Sequence, residues 1–334
     1  MISHGDDTYK YPKIRLNFSS NVYNHFDHSG LFRHLSERME VVTSYPEPTP
    51  FTLERRLAEK LGLKPENVMV TNGATEAIYL IAQAYRGSTS HILQPTFSEY
   101  EEACRLAGHT IVSTDRQDIP DSCQMMWLCN PNNPTGQVME INRIIDAIKK
   151  HPDTLFVVDS SYALFTDLPL ILPQESARYK NVLMLNSMTK GYAIPGLRLG
   201  YVTGEANLMK KLNAGRMPWS VNALAIEAGL YLLAHDDEYK IDIDTLMAER
   251  QRVAEALTET GKIETCPSDT HILLCRLKEG AASDLKEHLA RQGILIRDAS
   301  NFTTLDDSFF RIAVQSKEEN DELVHAIGSV VSHI

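Results

Sequence analysis

One lysine of this chain stands in a setting that suits covalent chemistry. Lys190 follows an apolar run at 182–185 and the hydroxyl residues Ser187 and Thr189, and a Gly/Pro-rich loop then leads to Arg198. A lysine amine just past a buried strand can form a Schiff base with an aldehyde, and hydroxyl groups with a guanidinium can hold a phosphate. These residues therefore predict a site for pyridoxal phosphate, an aldehyde cofactor whose ring acts as an electron sink.

A glycine-containing turn offers further phosphate contacts. Gly73, Ala74 and Thr75 follow the apolar run 67–71 and open a helical pattern. Free N–H groups and the helix dipole favour an anion at such a helix N-terminus. We therefore expect this turn to complete the phosphate site together with Ser187, Thr189 and Arg198.

Polar residues also follow two other apolar runs. Asn133 lies in the segment 130–136, and Asp159 and Tyr162 stand at the end of the run 155–159. Each segment alone could be an ordinary turn or helix cap. Ligands of open α/β sheets bind at the carboxyl ends of strands, and four such segments after four predicted strands favour one shared site.

The residue types at these strand ends suit the ring of the cofactor. A carboxylate at the end of a buried strand is costly unless it is paired, and a protonated pyridine nitrogen would pair with Asp159; the alternative is a helix cap. Asn133 and Tyr162 can hydrogen-bond the phenolic oxygen of the ring. Phe97 offers an aromatic face for stacking, although a lone Phe is more often a core residue.

Two arginines in the C-terminal part of the chain suit a substrate. Arg311 lies inside the apolar run 309–314, and Arg297 ends the run 294–297. A guanidinium in a buried strand needs an anion, and a carboxylate or a phosphate fits. An internal ion pair with Asp or Glu is the alternative. Two such arginines suggest a substrate with two anionic ends.

The apolar pattern predicts the elements that must position these residues. Strands are predicted at 67–71, 91–94, 110–113, 125–129, 155–159, 182–185 and 199–203, with helices at 75–85, 98–107 and 139–150. Strands that alternate with helices predict a mostly parallel sheet that is covered on both faces.

A different pattern follows in the C-terminal part of the chain. Long helices at 223–234 and 241–260 precede strands at 272–277, 294–297 and 309–314 and helices at 282–292 and 318–331. This mixture predicts a smaller α+β unit. We expect an N-terminal segment, 1–40, that packs with this small unit, a large domain over 41–235 and a small domain over 236–334.

Composition excludes several classes of function. The chain has 334 residues and a net charge of −11 without a basic block, so nucleic acid is not an expected partner. The apolar runs are too short to span a membrane, and the N-terminus lacks the pattern of a signal peptide. The five cysteines are dispersed without a CxxC pair, which favours a reduced, cytoplasmic protein without a metal site.

The motifs together resemble a known superfamily over essentially the whole chain. The segment around Lys190, the segments 130–136 and 159–162, Tyr45-Pro46 and Arg311 are similar to fold-type I pyridoxal phosphate enzymes of the class I/II aminotransferase superfamily. The resemblance implies an aspartate-aminotransferase-like α/β fold. In that fold, a large domain carries a mostly parallel seven-stranded sheet beside a smaller α+β domain.

The resemblance also implies roles for individual residues. Lys190 would carry the cofactor, Asp159 would hold its ring nitrogen, and the residues named above would bind its phenolic oxygen and phosphate. Tyr45 would reach the phosphate in the neighbouring subunit, which implies a homodimer. Arg311 would bind the substrate carboxylate. Arg297, Asn21 and His4 would lie near the substrate phosphate.

Two groups within the superfamily are similar to this chain, namely L-threonine-O-3-phosphate decarboxylases of cobalamin synthesis and histidinol-phosphate aminotransferases. Phe97, His4-Gly5 and the segments 16–21, 189–201, 217–224 and 294–297 resemble the decarboxylases more closely. Ser160-Ser161 replaces the usual Glu-Ala, and the segment 22–28 also departs from the pattern. We therefore expect decarboxylation of a phosphorylated amino acid, with transamination as the alternative and a non-catalytic cofactor-binding protein as the third hypothesis.

Overall fold

The computed structural model describes residues 6–115 and 123–331. His4, which the resemblance places near the substrate phosphate, lies outside these residues. The strands within them are β1 (Leu16–Asn17), β2 (Val68–Thr71), β3 (Thr89–Gln94), β4 (Thr110–Asp115), β5 (Met125–Cys129), β6 (Leu155–Asp159), β7 (Val182–Ser187), β8 (Gly200–Gly204), β9 (Ile263–Thr265), β10 (Ile272–Leu277), β11 (Ile294–Leu295), β12 (Arg297–Asp298) and β13 (Phe309–Ala313).

The α-helices of the same residues include every helix that the apolar pattern predicts. They are α1 (Ser29–Glu37), α2 (Phe51–Leu61), α3 (Gly73–Ala84), α4 (Glu99–Leu106), α5 (Ile141–Lys150), α6 (Pro173–Ser176), α7 (Met188–Gly191), α8 (Ala206–Asn213), α9 (Ala223–Ala234), α10 (Ile243–Glu259), α11 (Ala282–Arg291) and α12 (Lys317–Val331). Short 3-10 helices span Thr8–Lys10, Met39–Thr43, Pro65–Asn67, Ala163–Phe165, Pro195–Leu197 and Asp236–Tyr239. None of the helices so described is long and apolar enough to cross a membrane.

The central sheet contains all seven strands that the sequence predicts before residue 204, in the order β2-β8-β7-β6-β5-β3-β4. β8 runs antiparallel to both of its neighbours, and the other strand pairs are parallel. The predicted mostly parallel sheet and the aspartate-aminotransferase-like fold are therefore confirmed. Because β8 runs in reverse, it begins at the same edge of the sheet where β2 and β7 end.

Helices cover both faces of this sheet. Along β5, Trp127 packs in one core cluster with Ile78 of α3, whereas Leu128 packs in another with Ile144 of α5. Successive side chains of a strand point to opposite faces, so a strand covered on both sides must be apolar throughout. This requirement explains why β5 and β6 are buried along their whole length.

A second sheet forms the core of the C-terminal unit, in the antiparallel order β12-β13-β10-β9. The predicted single strand at 294–297 is wrong, because its two halves pair with different partners. β11 pairs with β1 of the N-terminal segment, with Leu16 opposite Ile294, whereas β12 pairs with β13. The N-terminal segment thus contacts the C-terminal unit, while the domain limits at residues 40 and 235 stay predictions.

Candidate active site

One cavity of about 350 Å³ lies at the carboxyl edge of the central sheet, where the C-terminal unit and the N-terminal segment face it. Thirteen of the residues selected from the sequence line this cavity. They are Asn21, Ala74, Thr75, Phe97, Asn133, Asp159, Tyr162, Ser187, Thr189, Lys190, Arg198, Arg297 and Arg311. The sequence-based grouping of these residues therefore corresponds to one place in the structure.

Asp159 is a buried carboxylate with several hydrogen-bond donors. It ends β6 and is 4% exposed. The Tyr100 hydroxyl donates to its Oδ2 at 2.6 Å, and the Ser161 N–H donates to its Oδ1 at 2.9 Å. Burial raises the pKa of Asp159, while hydrogen bonds from Ser161 and Tyr100 and the nearby Lys190 oppose that rise. A cation in the cavity would stabilise the carboxylate further.

Lys190 stands on the short helix α7, directly after β7. The Ser187 hydroxyl accepts the Thr189 N–H at 3.3 Å and fixes the start of this helix. The Lys190 Nζ donates to the Ser20 carbonyl at 3.2 Å. Burial lowers the pKa of Lys190 to about 8, and the charges of Arg311 and Arg198 add to that effect. A large share of this amine is therefore neutral and nucleophilic near pH 8.

Arg198 and the start of α3 enclose a small cradle. Gly73 has a φ of +74°, and a Cβ at this position would lie 2.6 Å from Arg198 Nη2. At Gly200 a Cβ would lie 2.6 Å from the Ala74 nitrogen. Only glycine permits approaches this close. Gly73 itself does not line the cavity. Because it has no Cβ, the Arg198 guanidinium can approach the N-terminus of α3.

The groups around this cradle fit a phosphate. The Ser187 and Thr189 hydroxyls lie 2.7 Å apart and line the cavity with Ala74, Thr75 and Arg198. Hydroxyls, a guanidinium and the free N–H groups at a helix start are all hydrogen-bond donors. A dianionic phosphate is the ligand group that such a set of donors binds well.

A chain of hydrogen bonds sets the direction of the Tyr162 hydroxyl. Arg311 can only donate, and its Nη1 donates to the Asn133 Oδ1. The Asn21 Nδ2 also lies 3.5 Å from this oxygen and 3.0 Å from the Tyr162 hydroxyl. Because Asn21 presents its amide N–H groups here, the Tyr162 oxygen accepts. Its own hydrogen is left for an acceptor in the cavity.

The two arginines of the C-terminal unit lie opposite each other on neighbouring strands. Arg297 of β12 is the register partner of Arg311 of β13, and both are buried. Arg297 Nη2 donates to the Asn301 Oδ1 at 2.8 Å, and its guanidinium lies 5.6 Å from the Phe302 ring centre. Burial lowers the pKa of both arginines.

No carboxylate of the residues that the structure describes forms an ion pair with Arg311. This guanidinium instead donates to Asn133 and to the Ser19 carbonyl, and its Nε is buried without a partner among those residues. An internal Asp or Glu partner for Arg311, the alternative left open by the sequence, is therefore absent from 6–115 and 123–331. Two adjacent buried guanidiniums favour binding of an anionic ligand.

Tyr45 lies outside the cavity of its own chain. Its side chain is 86% exposed, and its ring centre lies 5.4 Å from that of Trp219. The expected contact with a neighbouring active site stays a prediction.

Several residues of the site were not selected from the sequence, among them Tyr100, Asp6, Asn301 and Phe302. Tyr100 belongs to a predicted helix, and its contact with Asp159 joins residues 59 positions apart in the chain. A local motif carries no signal for such a contact. Ser161 was noted only as a departure from a family pattern.

Comparisons with known proteins identify a family and several relatives of this chain. The family model "Aminotransferase class I and II" matches residues 13–327. The crystal structure of L-threonine-O-3-phosphate decarboxylase from Porphyromonas gingivalis is 38% identical, with a TM-score of 0.93 over 95% of this chain and 99% of that chain. The threonine-phosphate decarboxylase of Salmonella typhimurium is 30% identical over 97% of this chain and 93% of its own length.

The second group of relatives consists of aminotransferases. The histidinol-phosphate aminotransferase of Caldanaerobacter subterraneus is 30% identical over 87% of this chain and 85% of its own length. Similarity therefore extends to two kinds of enzyme that act on phosphorylated compounds.

Proposed function

This chain belongs to the aminotransferase class I and II family, whose members depend on pyridoxal phosphate, and we propose that it decarboxylates a phosphorylated amino acid, with L-threonine O-3-phosphate as the leading substrate. The observation that carries the proposal is the cavity in which Lys190 and Asp159 face the adjacent guanidiniums of Arg297 and Arg311. Decarboxylation is supported by the 38% identity to the Porphyromonas gingivalis decarboxylase.

Each cofactor-binding group has a candidate position in this cavity. Pyridoxal phosphate, when bound, supplies an aldehyde for the substrate amine and a ring that accepts the electron pair released at the α-carbon. Lys190 would hold the aldehyde carbon, and Asp159 would keep a proton on the ring nitrogen. Tyr162 and Asn133 would donate to the phenolic oxygen, and Phe97 would pack on the ring.

The phosphate of the cofactor would occupy the cradle at the start of α3. Ala74, Thr75, Ser187, Thr189 and Arg198 would hold it through N–H, hydroxyl and guanidinium donors. The close approach between Gly73 and Arg198 supports this assignment, because it brings the guanidinium to the helix N-terminus. The fit follows from the chemistry of the donor set.

The substrate would bind through its two anionic ends. Arg311 would hold the carboxylate, and Arg297, with Asn21 nearby, would hold the phosphate. These contacts fix the angle between the substrate and the ring, and orientation of this kind accounts for several kcal/mol of a reaction barrier. In decarboxylation the Cα–C bond breaks, CO₂ leaves, and a proton must reach the α-carbon. Lys190, whose pKa lies near 8, is suited to deliver that proton.

The second candidate is an aminotransferase that acts on histidinol phosphate or a related amine. The histidinol-phosphate aminotransferase of Caldanaerobacter subterraneus supports it, at 30% identity. Lys190 would then remove the α-hydrogen of the substrate as a base. Turnover would require a 2-oxo acid as the amino-group acceptor, a requirement that decarboxylation lacks.

The proposal includes a homodimer in the cytoplasm. The exposed aromatic pair of Tyr45 and Trp219 supports the dimer, because exposed apolar groups in contact with each other are typical of interaction surfaces. Tyr45 would contact the cofactor phosphate of the partner subunit. The five cysteines are all free thiols, which supports a reducing compartment.

A CO₂-release assay tests the proposed reaction. Protein loaded with pyridoxal phosphate is incubated with L-threonine O-3-phosphate in the absence of any 2-oxo acid. We expect catalytic CO₂ release that is lost in Lys190→Ala. Conversion of histidinol phosphate only in the presence of 2-oxoglutarate would instead establish the aminotransferase. Full activity of Lys190→Ala would contradict both candidates.

A further inference from the structure

A fully buried histidine lies where three parts of the chain meet. His271 directly precedes β10 of the C-terminal unit and has no exposed surface. Its ring stacks on Phe165 of the large unit, with ring centres 3.7 Å apart and planes at 21°. Its Nε2 lies 3.1 Å from the backbone oxygen of Asn21 in the N-terminal segment.

The hydrogen bond to Asn21 determines the tautomer of His271. A carbonyl oxygen only accepts, so Nε2 carries the hydrogen and Nδ1 keeps its lone pair. Nδ1 is buried and has no partner among the described residues. Burial lowers the pKa of His271 to about 3, the Asn21 contact opposes that fall, and Arg311 and Lys190 add to it. His271 is therefore a neutral donor throughout the physiological pH range.

Asn21, the residue that His271 contacts, has an unusual backbone conformation and also contacts Tyr162 through its side chain. Asn21 has a φ of +58°, a left-handed conformation that costs energy and persists where its surroundings hold it. The side chain of the same residue donates to the Tyr162 hydroxyl at 3.0 Å. His271 thus binds the backbone of the same residue whose side chain sets the direction of the Tyr162 hydrogen.

A purely packing role would explain His271 less well. Phe would stack on Phe165 without leaving a buried ring nitrogen unpaired, and such an unpaired polar atom is costly. The carbonyl of Asn21 gives a reason for an imidazole here, because it needs a donor at the position of Nε2.

We propose that His271 is a positioning residue: its Nε2–H holds the Asn21 backbone, so that the Asn21 amide donates to Tyr162 and leaves the Tyr162 hydrogen for the phenolic oxygen of the cofactor. The proposal rests on pyridoxal phosphate as the cofactor, and it is independent of the choice between decarboxylation and transamination. His271 itself does not line the cavity.

A pH titration of the visible absorbance of the cofactor-loaded protein tests this role without any substrate. His271→Phe keeps the ring stack and removes the donor. Tyr162 then donates less effectively to the phenolic oxygen, and the proton shared between that oxygen and the Lys190 nitrogen is held more tightly. We expect the pH midpoint of the absorbance change to lie about half a pH unit or more above that of the wild type. His271→Gln, whose amide can place an N–H near the position of Nε2, should restore the wild-type value.

His109→Phe is the matched control. His109 is also a buried histidine whose Nε2 lies against a carbonyl, that of Ala82 at 2.9 Å, and it does not line the cavity. We expect this variant to lose stability but to titrate like the wild type. If His109→Phe shifted the midpoint as much as His271→Phe does, general loosening of the core would explain the effect, and the proposal would be overturned.

The outcomes separate this inference from the proposed function. A wild-type protein that shows no cofactor absorbance overturns both. A wild type that titrates, with an unshifted His271→Phe, overturns only the role of His271. If His271→Phe does not fold, His271→Gln is compared with His271→Asn, whose shorter amide reaches only the position of Nδ1. The pH midpoint should shift in the Asn variant and stay at the wild-type value in the Gln variant. Equal midpoints in the two variants would overturn the proposal.

Discussion

At the scale of single residues, the candidate site contains ionisable groups whose burial lowers the stability of the cofactor-free protein. Asp159 is buried with an elevated pKa, and Lys190 is held near a pKa of 8 by burial and two guanidiniums. Both shifts mean that burial disfavours the charged forms. Perturbed ionisable groups of this kind are typical of active sites, and each has a measurable consequence.

The first consequence concerns the stability of the cofactor-free protein. An acid whose pKa is raised on folding costs stability as pH rises above its unfolded value, 3.8 for Asp159. Asp159→Asn cannot ionise. Its Oδ1 can still accept the Ser161 N–H, while its Nδ2 would donate to the Tyr100 oxygen, which accepts in place of donating. In urea unfolding near neutral pH, we expect the variant to have a higher free energy of unfolding than the wild type, and to show little difference at about pH 4.

Asp167→Asn is the control for this prediction, because Asp167 is exposed. It should leave the free energy of unfolding nearly unchanged at both pH values. An Asp159→Asn variant less stable than the wild type near neutral pH would show that the carboxylate stabilises the fold.

The second consequence concerns the capture of the cofactor by Lys190. Only the neutral amine attacks an aldehyde, so the rate of capture by cofactor-free protein should rise with pH up to about 8 and then level off. Stopped-flow absorbance measures this profile. Arg311→Gln removes the largest cationic influence on Lys190 and should move the bend to higher pH. A rate that still climbs at pH 10, as for an ordinary lysine, would contradict a lowered pKa.

The sequence identified Lys190 and the phosphate-binding residues around it from one local motif, and it missed Tyr100, whose contact with Asp159 joins distant parts of the chain. Ser187 ends β7, and Thr189, Lys190 and Arg198 follow it, so one motif identifies them all. Tyr100 acts on Asp159 through packing of α4 against the sheet. Such contacts depend on the packing of whole elements, and local spacing does not encode that packing.

At the scale of elements, the reversed strand β8 determines the shape of the phosphate cradle. It carries Arg198 to the edge where α3 begins, and Gly200 pairs with both Thr71 and Ser187. The apolar run at 199–203 predicted the strand itself, but it contains no information on strand direction. The same limit applies at 294–297, where pairing partners from distant segments divide one apolar run into two strands.

Helices with narrow apolar faces were also missed. α1 buries only Leu31, and α2 buries Leu53, Leu57 and Ala58. The number of core residues distinguishes them from α3, which buries seven. Helices such as α3, which bury more residues, were predicted close to their observed bounds.

The close packing at Gly200 gives a prediction at this scale. A Cβ there would lie 2.6 Å from the Ala74 nitrogen and 2.8 Å from the Gly73 carbonyl carbon, so Gly200→Ala must displace the start of α3. Overpacking of this kind costs about 1–3 kcal/mol, and we expect at least about tenfold weaker binding of pyridoxal phosphate. Titration of the cofactor-free protein measures the affinity.

Gly196→Ala is the matched control, since a Cβ at Gly196 meets nothing within 4 Å. It lies in the same loop region but should bind the cofactor as the wild type does. Equal affinities of the Gly196 and Gly200 variants would contradict the role of this contact in shaping the cradle.

At the scale of the whole molecule, the exposed position of Tyr45 bears on the number of chains in one active site. Tyr45 and Trp219 form an exposed aromatic pair. Such a surface suits contact with a second copy of the chain. If Tyr45 completes the partner's phosphate site, two defective chains can restore each other.

Co-expression of Tyr45→Ala with Lys190→Ala tests this arrangement. In a mixed dimer, the Lys190→Ala chain supplies its Tyr45 to the site that keeps Lys190, while the other site lacks both groups. Random pairing should therefore restore about a quarter of wild-type activity, because half of the dimers are mixed and each has one complete site. If Tyr45 served only its own chain, the mixture would show no more than the averaged activity of the two variants, since neither chain would contain a complete site.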